Sequence, residues 1–319
     1  MSLRVGVIGA GHFGKYHIQA LKGISEIELK GFYDIDPIVQ KTVSKDYNVK
    51  SYNSLKEILQ DIDLVDIVTP TVNHYDCAVE AIKLQKHVFI EKPVTHSVET
   101  AERLIKLADE ADVKVQVGHI ERFNPAYLAA ESFLNKPMFI EAHRLQPFTQ
   151  RSLDVSVVLN LMIHDLDIIL HTVKSNIKRV NASGAIIASD SADVANARIE
   201  FENGCVAHLT ASRISMENLR NIKIFQKDNC ITIDFLNKKT EIIWARKNEN
   251  TPIHDDAHSI EITSQYPEIT PNNAILEELK SFVYSIEHHK KPMVTLEHAY
   301  QALKIAFDII DKVKFSFES

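Results

Sequence analysis

Short apolar runs and helical periodicities alternate along the first third of the chain. Leu3–Ile8 is an apolar run rich in β-branched residues, and Gly9 ends it. Residues 13–21 carry a helical period and Ile27–Tyr33 a second strand pattern. Residues 37–45 read as a helix with Asp36 as N-cap and Pro37 at the first helical position. A short strand is expected at 49–52, and Ser54 with Glu57 makes a capping box heading a helix over 54–60. Strand patterns at 64–68, 87–90 and 113–117 then alternate with helical ones at 73–84 and 98–108. Such alternation implies βαβ units with right-handed crossovers, hence a doubly wound parallel sheet of the Rossmann type.

The rhythm changes after Asn124-Pro125. One long helix is expected over 155–173, with Asp154 as N-cap. Strand patterns follow at 177–188, 192–201, 205–212, 221–226, 230–236 and 240–245, with a hairpin turn at Asn203-Gly204. Residues 247–271 are polar and read as a long loop; helices at 273–288 and 296–314 close the sequence. The pattern predicts an α/β domain over 1–120 and an α+β domain over 121–319 with a mostly antiparallel sheet. The C-terminal helix is expected to pack back on the first domain.

Composition narrows the function classes. The chain has 36 Lys+Arg against 43 Asp+Glu, a formal charge of −7, with 45% apolar and 25% charged residues. That is a soluble globular mix, and the acidic balance argues against general nucleic-acid binding. No apolar run reaches the length of a membrane span. The N-terminus runs into a strand pattern without the features of a secretory signal, so none is expected. Cys77, Cys205 and Cys230 are far apart and form no C-x-x-C. This argues against a disulfide framework and a thiolate metal site, so no metal is expected, and it fits a reducing cytoplasm.

Only 9 of the 319 residues are glycine, yet four of them (Gly6, Gly9, Gly11, Gly14) fall in the first fourteen positions. Gly9-Ala10-Gly11-His12-Phe13-Gly14 is G-x-G-x-x-G between a strand and a helix. The first glycine permits the turn, the second leaves room for a pyrophosphate, and the third lets helix and strand pack closely. The helix N-terminus offers N–H groups to phosphate. Asp34, 20 residues after Gly14, stands where an acid binds the adenosine ribose. A carboxylate there repels a 2′-phosphate, so NAD is favoured over NADP. The bland alternative is a tight turn and an ordinary loop acid.

Glu91-Lys92-Pro93 ends one strand and Thr69-Pro70 its neighbour, with His74 just beyond. Ligands of open α/β sheets bind outside these carboxyl ends. Lys92 is placed to stabilise a developing alkoxide or share in its deprotonation, although a single Lys-Pro is more often a surface lysine. On the helix from 155, Asn160, His164, Asp167 and His171 form a polar stripe on an apolar surface. A lone histidine there is more often a hydrogen-bonded core residue.

In order along the chain, the glycine motif, Thr69-Pro70, Glu91-Lys92-Pro93, Gly118-His119-x-x-Arg122-Phe123-Asn124-Pro125 and His164-Asp165-x-Asp167 resemble the Gfo/Idh/MocA family of oxidoreductases, glucose–fructose oxidoreductase and inositol 2-dehydrogenase among them. The resemblance spans essentially the whole chain. It implies a nicotinamide-binding domain followed by a domain with an open sheet that binds substrate and mediates a homodimer or homotetramer. It implies a cofactor site of Gly9, Gly11, His12, Phe13, Gly14, Asp34, Thr69, Pro70, His74, Glu91 and Lys92. It implies Lys92, His164 and Asn160 as catalytic groups on a sugar, polyol or sugar-nucleotide hydroxyl, with Asp165 and Asp167 as orienting partners and His171 structural.

Many relatives carry aspartate where this chain has Asn160, which can hold a hydroxyl but cannot accept its proton. The text around Arg144 and Arg151 resembles a subgroup that includes UDP-N-acetylglucosamine 3-dehydrogenases. It implies substrate contacts from Lys92, Arg122, Arg144, Arg151, Asn160 and His164, the arginines suiting a pyrophosphate; solvated arginines beside a loop are the bland alternative. Asn160 motivates a competing expectation, a non-catalytic, dinucleotide-responsive regulatory protein on the same scaffold. A dihydrodiol or imine reductase differs from the leading reading only in its substrate pocket.

Overall fold

Strands β1 (Leu3–Ile8), β2 (Ile27–Tyr33), β3 (Leu64–Ile67), β4 (His87–Glu91) and β5 (Val115–Gly118) form one sheet in the order β2-β1-β3-β4-β5. Every pairing in it is parallel. The helices are α1 (His12–Leu21), α2 (Pro37–Tyr47), α3 (Leu55–Asp61), α4 (His74–Lys83) and α5 (Val98–Ala111). The computed structural model describes residues 2–149, 155–247 and 260–318. Helix starts follow local chemistry: Asp36 accepts from the Ile38 N–H, Ser54 from Glu57 and Ser97 from Thr100. In the capping box the Glu57 carboxylate reaches back one residue further than the simple motif, to the Asn53 N–H at 3.0 Å. The strand expected at 49–52 is reduced to one bridge, Ser51 beside Phe32.

Sequence reasoning left Gly6 without a role. A Cβ at that position would stand 2.8 Å from Ile58 Cδ1, so its absence lets α3 press against β1.

The chain divides into two units, Met1–Phe123 with Asn273–Lys304 and Asn124–Asn272 with Ile305–Ser319. The expected boundary lies after residue 120, with the C-terminal helix packing back on the first domain. Residues 273–304 return to the first unit because α8 (Ala274–Glu287) places Leu279, Phe282, Val283 and Ile286 in the core of Val5, Ile18, Phe32 and Phe89. The division falls inside the last helix, α9 (Leu296–Glu318).

The second unit holds α6 (Pro125–Glu131), β6 (Phe139–Leu145), α7 (Ile163–Val173), β7 (Ile177–Ala185), β8 (Val194–Phe201), β9 (Val206–Ser212), β10 (Leu219–Phe225), β11 (Asn229–Asp234), β12 (Lys239–Lys247) and β13 (Ile260–Gln265). Its eight-stranded open sheet runs β13-β12-β11-β10-β6-β9-β8-β7 and is antiparallel except for β6 with β9. One face is buried: Ile140, Ala142, Leu209, Ile222 and Ile224 share a core with Leu166, Ile168 and Ile169 of α7. Three expectations change here. Residues 139–145, assigned no element, are a central strand. Part of the expected loop 247–271 is β13, an edge strand exposed along its length. The expected helix over 155–173 begins with a π-helical turn, Val158–Met162, before α7. Its expected cap, Asp154, lies outside the described residues; the Ser156 hydroxyl accepts from the Leu159 N–H instead.

Candidate active site

In the first unit the site grows from the carboxyl ends of β1 to β4. Gly9 leaves β1 with φ +90° and donates its N–H to the Tyr33 carbonyl at 2.8 Å. A Cβ there would stand 2.7 Å from the Val68 carbonyl oxygen. A Cβ on Gly14 would stand 2.0 Å from the Gly9 carbonyl oxygen, so α1 closes directly on the turn. At Gly11 nothing lies within 4 Å of that position. The turn is tight on its protein side and open where a phosphate approaches, with the N-terminus of α1 behind it. His12 and Phe13 follow on the exposed side; Phe13 is 65% exposed, and the His12 ring meets both Phe13 and Tyr16 edge-on.

Asp34, at the end of β2, accepts the Ala10 N–H at 2.7 Å and the Asp36 N–H at 2.9 Å, one on each carboxylate oxygen. Each oxygen keeps lone-pair capacity for a ribose hydroxyl. These residues bring together what a dinucleotide needs: open phosphate turn, helix N-terminus and fixed ribose acid.

Beyond β3 and β4 lie Thr69-Pro70 and Glu91-Lys92-Pro93, the Lys92-Pro93 peptide being cis. His74, expected at the cofactor, stands buried beside these loops. It is 1% exposed, and its ring faces the Pro93 carbonyl through Nδ1 and the Thr69 carbonyl through Nε2, both at 2.9 Å. Burial outweighs these carbonyls and lowers its pKa, so the neutral ring donates to one of them at a time. His74 therefore braces the two loops from behind. Arg122, in a short 3₁₀ turn over Ile120–Phe123, is also buried, at 3% exposure.

In the second unit, Asn160 lies in the π-helical turn and His164 in the first turn of α7. Asp165 and Asp167 are buried, and His171 lies 6.4 Å from the Tyr127 ring. Arg144, expected to contact substrate, stands on β6. It is 2% exposed, donating from Nη2 to Asp165 at 2.7 Å and from Nε to both carboxylate oxygens at 3.1 Å. Its Cζ lies 5.8 Å from the Phe235 ring centre. The guanidinium ties the His164 helix to the sheet. Arg151 lies outside the described residues.

Residues 3–119 match the family described as "Oxidoreductase family, NAD-binding Rossmann fold", and residues 128–231 match the "GFO/IDH/MocA C-terminal domain". The chain is 36% identical over 294 residues to UDP-N-acetylglucosamine 3-dehydrogenase of Acidithiobacillus ferrooxidans, covering 90% of each chain. It belongs to the GFO/IDH/MocA oxidoreductase family. A solved structure of UDP-N-acetylglucosamine 3-dehydrogenase from that organism superposes with a TM-score of 0.91 at 32% identity, covering 99% of each chain. Myo-inositol 2-dehydrogenase of Thermotoga maritima is 22% identical, over 96% of this chain and 94% of its own. The protein is thus an NAD-binding oxidoreductase. No helix among the described residues is long and apolar enough to cross a membrane.

In this GFO/IDH/MocA protein one cluster escaped sequence reasoning. His17 of α1 lies between Asp66 of β3 and Glu91 of β4, and His17 and Asp66 are each 1% exposed. The signal was present: Asp66 interrupts a fully buried strand, Leu64–Ile67. A carboxylate placed there demands a cationic or donor partner.

Proposed function

We propose that this protein is an NAD-dependent dehydrogenase of a sugar-nucleotide hydroxyl, with UDP-N-acetylglucosamine, oxidised at its 3-hydroxyl, as the substrate to test first. The observation that carries the reading is the match to the Acidithiobacillus enzyme over nearly the full length of both chains, at 36% identity. Gly9, Gly11, His12, Phe13 and Gly14 would hold the pyrophosphate, Asp34 the adenosine ribose, and Thr69, Pro70 and Glu91 the nicotinamide end. When bound, NAD supplies the hydride acceptor. Lys92 donates a hydrogen bond to the hydroxyl oxygen and stabilises its developing charge. His164 takes the hydroxyl proton, a task suited to an imidazole that titrates near working pH. Asn160 holds the hydroxyl through its amide without accepting the proton.

We further propose a homodimer or homotetramer formed through the outer face of the eight-stranded sheet. There Phe139, half-buried, meets His208 and Phe225 at ring separations of 5.3 and 5.8 Å. The three free cysteines suit a reducing cytoplasm.

The decisive experiment supplies NAD with UDP-N-acetylglucosamine, other UDP-sugars, free sugars and inositols, and follows absorbance of the reduced cofactor. The UDP-sugar should be turned over, and His164→Ala should slow it about 10²- to 10⁴-fold, the usual worth of a general base. Turnover of none of these compounds refutes the reading. Tight NAD binding without turnover supports the dinucleotide-responsive regulator that Asn160 suggests. Light scattering at working concentration tests the oligomer.

A further inference from the structure

Three ionisable groups lie beneath the loop that carries Lys92. His17 directs Nδ1 at Asp66 Oδ2, 2.9 Å away, and Nε2 at Glu91 Oε1, 3.2 Å away. The other Glu91 oxygen accepts the Lys92 backbone N–H at 3.1 Å. Gly118 of β5, in register with Glu91, leaves the carboxylate its space, since a Cβ there would stand 2.8 Å from Oε1. Glu91 is thus fixed by an imidazole, by the peptide of the neighbouring lysine and by a bare stretch of backbone. Phe89 closes the cluster with its ring 5.8 Å from that of His17. Lys92 on the loop and His74 on α4 are the other titratable groups that face it.

The ring has carboxylate oxygens on both sides. Ionised carboxylates only accept, and a neutral imidazole donates from one nitrogen, so both contacts together call for an imidazolium. Burial by itself would lower the His17 pKa, but Asp66 and Glu91 outweigh it and raise it well above 6.5. Burial likewise pushes Glu91 up, and His17 and Lys92 more than cancel it, holding the carboxyl below 4.5. Asp66, with one oxygen lacking a hydrogen-bond partner, is left raised by burial.

We propose that His17 is a positioning residue: as an imidazolium bridging Asp66 and Glu91, it keeps Glu91 ionised and fixed at the foot of Lys92, and so sets the placement and charge of that lysine. This rests on Lys92 being the catalytic lysine.

The test uses full-length His17→Gln, Asp66→Asn and the double variant. Ring NMR of the wild type needs no substrate. It should show His17 still an imidazolium at pH 7, where an ordinary histidine is mostly neutral; a ring already neutral at pH 7 overturns the proposal. His17→Gln leaves two buried carboxylates without their cation, so the Glu91 pKa rises and the acid limb of the kcat profile moves to higher pH. The kcat itself should fall by up to about 100-fold, the scale of a misplaced catalytic group. Adding Asp66→Asn removes the repulsion and should return part of that loss.

A fall in kcat with the acid limb in place, or purely additive losses in the double variant, makes His17 a packing residue and overturns the proposal. A wild type that turns over no sugar refutes the catalytic reading of Lys92. The ring signature and the coupling of His17 with Asp66 in thermal stability then still decide whether the imidazolium bridge exists.

Discussion

Replacing Arg144 with methionine should destabilise the second unit far more than an ordinary surface change. Arg144 and Asp165 make three contacts of 2.7 to 3.1 Å, and their side chains are 3% and 2% exposed. Arg144→Met therefore takes the guanidinium away from a carboxylate that water does not reach. Breaking a buried pair from one side costs about 3–5 kcal/mol. That is roughly two to three and a half powers of ten in the unfolding equilibrium.

The double variant Arg144→Met/Asp165→Leu removes both charges and should recover most of the loss, because an apolar replacement of a buried pair is often neutral or better. The assay is urea unfolding followed by the fluorescence of Trp244, the single tryptophan, which lies in β12 of the same sheet and donates to Gln265 at 3.0 Å. A single variant that costs less than about 1 kcal/mol, the worth of an exposed pair, refutes the reasoning. So does a double variant no better than the single. Unchanged unfolding with a raised KM for the UDP-sugar would return Arg144 to the substrate.

Gly14→Ala puts a methyl 2.0 Å from the Gly9 carbonyl oxygen, so α1 must move off the turn. NAD affinity, read by fluorescence titration, should fall by more than about tenfold, or 1.4 kcal/mol. Asp34→Ala leaves the Ala10 and Asp36 N–H groups without their acceptor and removes the charge that repels a 2′-phosphate. KM for NAD should rise and the preference over NADP shrink, while an unchanged preference in steady-state kinetics counts against the ribose assignment. Arg4 donates to Asp63 at 2.7 Å and is the main cause holding that carboxyl below 3.8. A depressed acid contributes stability above its unfolded pKa and loses it as pH falls through the folded one. The Tm gap between wild type and Asp63→Asn should thus be present at neutral pH and close as the pH falls below the ordinary carboxylate range.

The parallel sheet was readable because short strands rich in apolar residues alternate with helices that have a period or a cap, as at Asp36 and Ser54. Gly9, Gly11, Gly14 and Asp34 were readable because their roles depend on spacing along one βαβ unit. β6 was missed because Ile140, Ala142 and Arg144 share its buried face, and the arginine blurs the alternation. β13 was missed because every residue in it is exposed and its only apolar residues, Ile260 and Ile262, follow a long polar stretch. Arg144 with Asp165, and His17 with Asp66 and Glu91, join residues 21 to 74 positions apart. No local pattern carries such pairings. The π-helical turn was invisible because a change of closure within an apolar run leaves composition untouched.

That turn also governs angle. A closure from i to i+5 takes in one residue more than the α-helical i to i+4, and each α-helical residue advances about 100°. Val158–Met162 thus acts as a phase shifter: it absorbs a residue upstream, while the Arg144–Asp165 clamp pins α7 downstream. A one-residue deletion at Val158 or Leu159 should accordingly close the turn to the α-helical i to i+4 pattern and leave His164 in phase, whereas the same deletion inside α7 would swing the residues beyond it by more than a quarter of a rotation.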